Sequence, residues 1–229
     1  MLVLAIETSG PLGSVAVSES DRVLAEHSLE LGKKHAQSLI PTIRNALTEC
    51  GKSARDVGLV AASIGPGSYT GLRVGVVCAK SFAYAVGCPL AAVDTLQAIA
   101  CNTPLEISDV NVIADAQRGD LFTGHYERDA NRQWVRAGEI EVIRVEEWAA
   151  GLTDLHTVSG PGLEKFGSLA EGRCRLLPAE FWVPGSVNVA RLGVLSQAAG
   201  HSADPWSVEP LYLRRSSAEV QWERLHPGK

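Results

Sequence analysis

The sequence predicts an α/β protein of two similar lobes, each with a mixed sheet and the element order βββαβα. Three observations predict this fold class. Three strand patterns open the chain before helix and strand patterns alternate, and the same order starts again at Asp109. Residues 63–86 have the pattern of a buried strand, a glycine-rich turn and an apolar helix. We place the boundary near residues 102–104, so that the lobes span 1–103 and 104–229, with the option that the last segment packs back on the first lobe.

The first lobe opens with three strands that we expect to pair in an antiparallel manner. The helix that follows, residues 34–50, has one apolar face and contains Pro41. That proline leaves two options, a helix that starts near Ser38 or a longer helix with a kink. The predicted strands of this lobe are residues 2–6, 14–18, 23–31, 58–64 and 89–93, and its predicted helices are 34–50, 72–86 and one that opens at Asp94 or Thr95.

The second lobe repeats the order of elements but not the residues, so the duplication depends on element order alone. A duplicated βββαβα chain has the actin-like, or ribonuclease-H-like, architecture, in which antiparallel strands join parallel ones through helical crossovers. The predicted strands are residues 109–114, 121–127, 134–145, 156–159 and 175–177, and the predicted helices are 146–150, 162–169 and 188–199. A final segment, 208–214, is expected to dock on a sheet or a helix.

Composition excludes several classes of function. A formal net charge of −5 gives no global field that draws the chain to nucleic acid or to an acidic membrane surface. The five cysteines form no CxxC pair, which indicates buried, reduced thiols in a cytoplasmic protein. No apolar run approaches the roughly 20 residues that cross a bilayer, so no membrane partner is expected. The six histidines make no metal-ligand pair with each other or with a cysteine, so we expect no dedicated metal site.

The glycine-rich turn at residues 65–71 is similar to a phosphate-binding loop in composition but lacks the fingerprint residues. A Walker loop needs a lysine after its last glycine, where this chain has Leu72, and the dinucleotide pattern fails because its sixth position is Thr70. The simpler interpretation is a tight turn in which Thr70 or Ser68 caps the following helix. Ser68 is not expected to be a nucleophile, because no GxSxG elbow surrounds it.

Glu7 ends the first strand, where actin-like ATPases carry an acidic residue and a first phosphate-binding hairpin. Residues 8–14 offer backbone amides to a phosphate, but Pro11 occupies one position without a donor. An ordinary hairpin turn is the favoured interpretation, and nucleotide binding by this chain alone is the alternative.

The helix over residues 72–86 is apolar or small on two opposite faces. Such a helix must be covered on both sides. One side can lie on its own sheet, and the side with Gly75, Ala79 and Ala83 suits close packing against a neighbouring helix. That neighbour can belong to another chain.

Several stretches of the sequence together resemble the bacterial TsaB (YeaZ) family. They are MLVLAIETSGPLGSVAV at the start, KKHAQSLIPTI near 35–43, GPGSYTGLRVGVVCAKSFAYAVGCPLAAVDTLQAIA at 65–100, DAQRGDLF at 115–122 and PLYLR at 210–214. The segment GPGSYTGLR is the most specific. Its signature residues are Gly65, Pro66, Gly67, Ser68, Tyr69, Thr70, Gly71 and Arg73.

The resemblance implies a role in making N6-threonylcarbamoyladenosine (t6A) at position 37 of tRNAs that read codons beginning with A. It implies a non-catalytic subunit that pairs with the catalytic paralogue TsaD, works with the ATPase TsaE, forms homodimers when alone and reaches tRNA through the complex. No cofactor is expected on this chain alone, and ATP at the complex interface is left open. The paralogue holds a metal with a His-x-x-x-His pair, whereas Thr95 and Ile99 stand at those positions here.

The resemblance also places the partner interface on two helices of the first lobe, about 34–50 and 70–86. The pattern leaves open which stripe of each helix faces outward; the predicted interface residues are Leu39, Ile43, Leu47, Val76, Lys80 and Ala83. Two other classes are alternatives. An ATP-dependent phosphotransferase of the actin-like superfamily would need Mg²⁺-held triphosphate and an acidic base, and a metallopeptidase would hold a metal.

Overall fold

A computed structural model of the chain describes residues 1–20, 22–29 and 35–214, together with Trp222 and His226. The first lobe contains a five-stranded mixed sheet in the order β3-β2-β1-β4-β5. Strands β1, β2 and β3 pair in an antiparallel manner, whereas β4 and β5 run parallel to β1. The strands are β1 (Leu2–Glu7), β2 (Ser14–Glu19), β3 (Arg22–Ser28), β4 (Val57–Gly65) and β5 (Leu90–Asp94).

Helices cover the first sheet because its central strands are apolar on both faces. Every residue of β1 is buried, as expected for a strand with side chains in two cores. On one face lie α1 (His35–Glu49) and α2 (Tyr69–Val86), and α3 (Thr95–Ala100) follows β5. Asp94 caps α3, since its Oδ1 accepts hydrogen bonds from the amides of Leu96 and Gln97.

Several boundaries in the first lobe differ from the predicted ones, and α2 begins at Tyr69 rather than at residue 72. Strand β3 ends at Ser28 rather than at residue 31, and residues 30–34, where the predicted start of the first long helix falls, lie outside the described residues. Helix α1 includes residues from His35 and contains Pro41 in its interior, so the option of a start near Ser38 is wrong.

The second lobe repeats the arrangement with a sheet in the order β11-β10-β6-β7-β8, and β9 also pairs with β7. The predicted strand over 134–145 is two short strands, because the chain turns between them at Gly138, which has a φ of +123°. Strand β11 is the predicted short strand. The strands are β6 (Asp109–Asp115), β7 (Asp120–Arg128), β8 (Trp134–Arg136), β9 (Glu141–Arg144), β10 (Thr157–Ser159) and β11 (Arg175–Leu176), and the helices are α4 (Val145–Ala150), α5 (Leu163–Phe166) and α6 (Ser186–Ala198).

Helix α6 packs on the face of the first sheet opposite α1 and α2. Val189, Ala190 and Leu192 share a buried cluster with side chains of β1, β4 and β5. Gly193 makes the approach close, because a Cβ atom there would lie 2.5 Å from the Cβ of Ala61. Leu195 is 40% exposed, because the Gly193 side of the helix is the side that meets the sheet.

The predicted α/β fold of two actin-like lobes with mixed sheets is therefore confirmed, and the last part of the chain joins the lobes. We call residues 204–214 the strap. The Leu211 amide donates to the carbonyl of Ile64 at the end of β4, and Arg214 donates to carbonyl oxygens of Ala116 and Gln117 in the second lobe. The expected docking of residues 208–214 is confirmed. Among the described residues, no helix is long and apolar enough to span a membrane.

Enlarging Gly193 tests the contact between α6 and the first sheet. Gly193→Val is expected to lower the free energy of unfolding by about 1–3 kcal/mol, because the added atoms meet Ala61 in a packed core. Chemical denaturation of the variant and the wild-type chain measures the difference. Gly185→Ala is the control, because a Cβ atom at Gly185 meets nothing within 4 Å. Equal stability of the Gly193 variant and the wild type would contradict the packing of α6.

Candidate functional site

The glycine-rich loop between β4 and α2 is a capped strand-to-helix turn. Gly65 has a φ of +114°, which glycine adopts without strain, and its amide donates to Oγ1 of Thr95 at 3.2 Å. Ser68 is the N-cap of α2, and its Oγ accepts from the amide of Gly71 at 3.3 Å. Of the two predicted caps, Ser68 is confirmed, whereas Thr70 lies within the first turn of the helix.

The loop is packed against the hairpin that connects β1 to β2. The amide of Ser68 donates to the carbonyl of Ser9 at 2.7 Å. A Cβ atom at Gly67 would lie 2.6 Å from that same oxygen, and a Cβ at Gly71 would lie 2.1 Å from the carbonyl oxygen of Thr8. The glycines therefore admit the chain's own backbone, at the place where a phosphate-binding loop would admit a phosphate.

The β1–β2 hairpin also contacts the first turns of α2. A Cβ atom at Gly75 would lie 2.1 Å from Oγ1 of Thr8, so Gly75 is also required by the hairpin. His35, at the start of α1, places Nε2 3.0 Å from the carbonyl oxygen of Gly10. Both helices are thus fixed to one hairpin.

Glu7 is fully buried beneath this hairpin, and its carboxyl group is hydrogen-bonded to a residue of the hairpin. Oε1 accepts hydrogen bonds from the amide and the hydroxyl of Ser9. Oγ1 of Thr8, next to this carboxyl group in the chain, has no hydrogen-bond partner among the described residues. Burial raises the pKa of the Glu7 carboxyl above its ordinary value, and the hydrogen bonds from Ser9 only partly oppose that shift.

Thr95 and Ile99, the two positions that the sequence analysis compared with a histidine pair, are part of the core. Thr95 is 3% exposed and holds the Gly65 amide, and Ile99 is fully buried beside the second lobe. A different group of possible metal ligands lies on β6 and β7. His125 Nε2 contacts Asp109 closely and lies 3.9 Å from Glu127 Oε1, and each of the three side chains offers one ligand atom. Sequence spacing missed this group because it is formed across two strands.

The structure shows which stripe of each of the two helices faces the sheet, a point that the sequence left open. Most of the predicted side chains belong to the first lobe's own core, because the more apolar stripe of each helix covers the sheet. Lys80 instead binds the strap, with Nζ 2.9 Å from the carbonyl oxygen of Val208. The buried residues are Leu39, Ile43, Leu47, Val76 and Ala83, each at most 5% exposed. That this helix pair contacts a partner stays a prediction.

The outward surface of the helix pair is an apolar groove of about 530 Å³ between α1 and α2. Its lining is mostly apolar and consists of Ala36, Leu39, Ile40, Val74, Val77, Cys78, Ser81 and Phe82. Ile40 and Val77 are the most exposed of the aliphatic lining residues, at 54% and 60%. Burial in the groove raises the pKa of the Cys78 thiol to about 11, so this thiol is protonated at neutral pH. The groove can accept apolar side chains, but its lining contains no charged side chain.

Two aromatic contacts hold the strap along the neighbouring stripe of α2. At the start of the helix, the rings of Tyr69 and Tyr212 lie 5.2 Å apart, and Arg73 Nε donates to the hydroxyl of Tyr212 at 3.0 Å. At its end, Trp206 meets Tyr84 edge to face at 5.1 Å. The signature residues Tyr69 and Arg73 are therefore used to bind the strap, a role that local sequence patterns could not reveal.

Together these features define an actin-like protein whose glycine loop is filled by its own hairpin and whose paired helices present an exposed apolar groove. A model of the family described as tRNA N6-adenosine threonylcarbamoyltransferase (TsaD) matches residues 24–171. The chain is 29% identical to the tRNA threonylcarbamoyladenosine biosynthesis protein TsaB of Escherichia coli over the full length of both proteins. It is 35% identical to the Bacillus subtilis protein of the same name over 127 residues, which are 56% of each chain.

The structure of YeaZ from Pseudomonas aeruginosa superimposes with a TM-score of 0.80 at 25% identity, covering 93% of this chain and 99% of that one. The chain belongs to the TsaB (YeaZ) family of tRNA threonylcarbamoyladenosine biosynthesis proteins.

A double-mutant cycle tests the contact between the loop helix and the hairpin. Gly75→Ala is expected to cost about 1–3 kcal/mol of unfolding free energy, because the new methyl group meets Oγ1 of Thr8. In a Thr8→Ala background that cost should largely disappear. Gly71→Ala is the control, because it meets the Thr8 backbone and Thr8→Ala cannot relieve it. Equal costs of Gly75→Ala in both backgrounds, measured by denaturation, would contradict this geometry.

The buried carboxyl group gives a pH-dependent prediction. Because the folded-state pKa of Glu7 is raised, its contribution to stability is fully present below the unfolded-state pKa and is lost as pH rises through the folded-state pKa. The stability of Glu7→Gln relative to the wild type should therefore increase with pH across that window. Denaturation at a series of pH values measures this, with Glu106→Gln as an exposed control. A constant difference between the Glu7 variant and the wild type would contradict the raised pKa.

Proposed function

We propose that this chain is the non-catalytic subunit of the complex that transfers a threonylcarbamoyl group to N6 of adenosine 37. The complex acts on tRNAs that read codons beginning with A. Within the complex, this chain pairs with the catalytic TsaD-type paralogue through α1 and α2. The observation that carries the proposal is the exposed apolar groove of this helix pair. Membership in the TsaB family supplies the reaction to which the groove belongs.

A non-catalytic role is supported by how the first lobe uses its polar groups. The Ser68 amide binds Ser9, and the carboxyl group of Glu7 binds the same hairpin. Thr95 and Ile99 occupy the positions of the paralogue's metal ligands and are buried. These groups stabilise the lobe, so a phosphoryl transfer site would need other residues.

The remaining features of the proposal follow from charge and from the same helix face. With a formal net charge of −5, the chain contributes little to tRNA binding, which we assign to the rest of the complex in the cytoplasm. The α1–α2 face forms a homodimer when the paralogue is absent. The TsaE-type ATPase acts on the assembled pair, and we assign no cofactor to this chain alone.

Placing a charge in the groove tests the proposed interface. Val77→Arg should weaken binding to the TsaD-type paralogue about a hundredfold, or about 2.8 kcal/mol, because an unpaired cation would be buried on association. The fold should be unaffected, since Val77 is 60% exposed. Leu155→Arg, at an 87% exposed position of the second lobe, is the control. Calorimetric titration measures both, and unchanged affinity of the Val77 variant would contradict this interface.

A further inference from the structure

The strap presents an aromatic pair at the far end of the α1–α2 face. Trp206 and Tyr84 contact each other with ring centroids 5.1 Å apart, yet they remain 74% and 66% exposed. Large aromatic side chains with this exposure are uncommon on a surface that stays in water, and they are frequent among the residues that dominate binding energy.

The chain holds Trp206 in place before any partner binds. Oδ1 of Asp204 accepts from the Trp206 amide at 3.0 Å, and the Val208 amide donates to the Asp204 carbonyl at 2.9 Å. Lys80 Nζ donates to the carbonyl oxygens of both Trp206 and Val208. A fixed aromatic residue loses little conformational freedom on association, so its burial adds more to affinity.

The exposed area of the α1–α2 face also favours an interface that extends beyond these two helices. A stable interface buries about 800 Å² on each partner. Ile40 and Val77 are the exposed aliphatic side chains of the groove, and each is smaller than an aromatic side chain. Tyr84 and Trp206 together expose roughly 200–350 Å² if each side chain offers about 150–250 Å² in full. The aromatic pair thus adds a substantial continuous area next to Val77, which lies one turn of α2 before Lys80 and two turns before Tyr84.

Charge indicates the chemistry of the surface that fits. Helix α2 contains Arg73 and Lys80 and no acidic residue, whereas α1 carries exposed Arg44 and Glu49, and the strap carries exposed Asp204 and Glu209. Because Arg73 and Lys80 hold the strap, the centre of the face is apolar. The complementary surface is therefore an apolar helical face whose rim can pair with charges of both signs.

We propose that the partner-binding surface extends from α1 and α2 onto the strap, and that Trp206 with Tyr84 anchors the TsaD-type paralogue. This inference rests on the proposed function. The strap also binds the hairpin of the second lobe through Arg214, which contacts Asp120 at 3.1 Å. A partner seated on Trp206 would therefore touch a segment that is fixed to both lobes.

Substitution of Trp206 tests the anchor. In calorimetric titrations with the TsaD-type paralogue, Trp206→Ala should bind roughly tenfold more weakly or worse, and Trp206→Phe should keep most of the affinity. Leu155→Ala, at another highly exposed apolar position, is the matched control and should bind like the wild type. Thermal unfolding of each variant verifies that the fold is retained.

A further variant distinguishes the effect of losing the Trp206 side chain from the effect of moving the strap. Lys80→Met removes the hydrogen bonds to the strap but keeps Trp206. Weakening by Lys80→Met equal to that by Trp206→Ala would overturn the anchor. Wild-type affinity of Trp206→Ala beside a weakened Val77→Arg would also overturn it and leave the proposed function intact, whereas no binding by the wild-type chain would overturn both.

Discussion

The close approach of the β1–β2 hairpin to the glycine loop is the contact on which the rest of the structure depends. Backbone atoms of Thr8 and Ser9 occupy the space that side chains at Gly67 and Gly71 would need. The contact fixes α2 to the sheet, while His35 fixes the start of α1 to the same hairpin. Protein atoms of the hairpin fill the space against the glycine loop, and the loop positions two helices.

The hairpin holds the start of α2, and three stripes of this helix make different contacts. One stripe packs into the core with Val76, Ala79 and Ala83. A second stripe binds the strap through Tyr69, Arg73, Lys80 and Tyr84. The third lines the groove with α1. The signature sequence GPGSYTGLR thus forms the contact with the hairpin and the contact with the strap, and the groove stays exposed.

Element order and hydrophobic periodicity were sufficient to predict the two-lobed fold, because strands and helices with separate periods alternate clearly along the chain. The outward stripe of α1 and α2 was not predictable. Both stripes are apolar, and only the packing of the sheet and the strap decides that Leu39 is buried while Ile40 is exposed. The docking of α6 on the first lobe depends on the long-range contact between Gly193 and Ala61, which leaves no local signal. The Asp109, His125 and Glu127 group was missed for the same reason, since strand register brings it together.

We propose that the first lobe serves assembly through its helix pair rather than chemistry in its own cleft. Light scattering on a sizing column can test this proposal, first with the wild-type chain alone and then with the TsaD-type paralogue from the same source. We expect a homodimer that converts into a one-to-one heterodimer of the two chains. A chain whose mass is unaffected by the paralogue would contradict it.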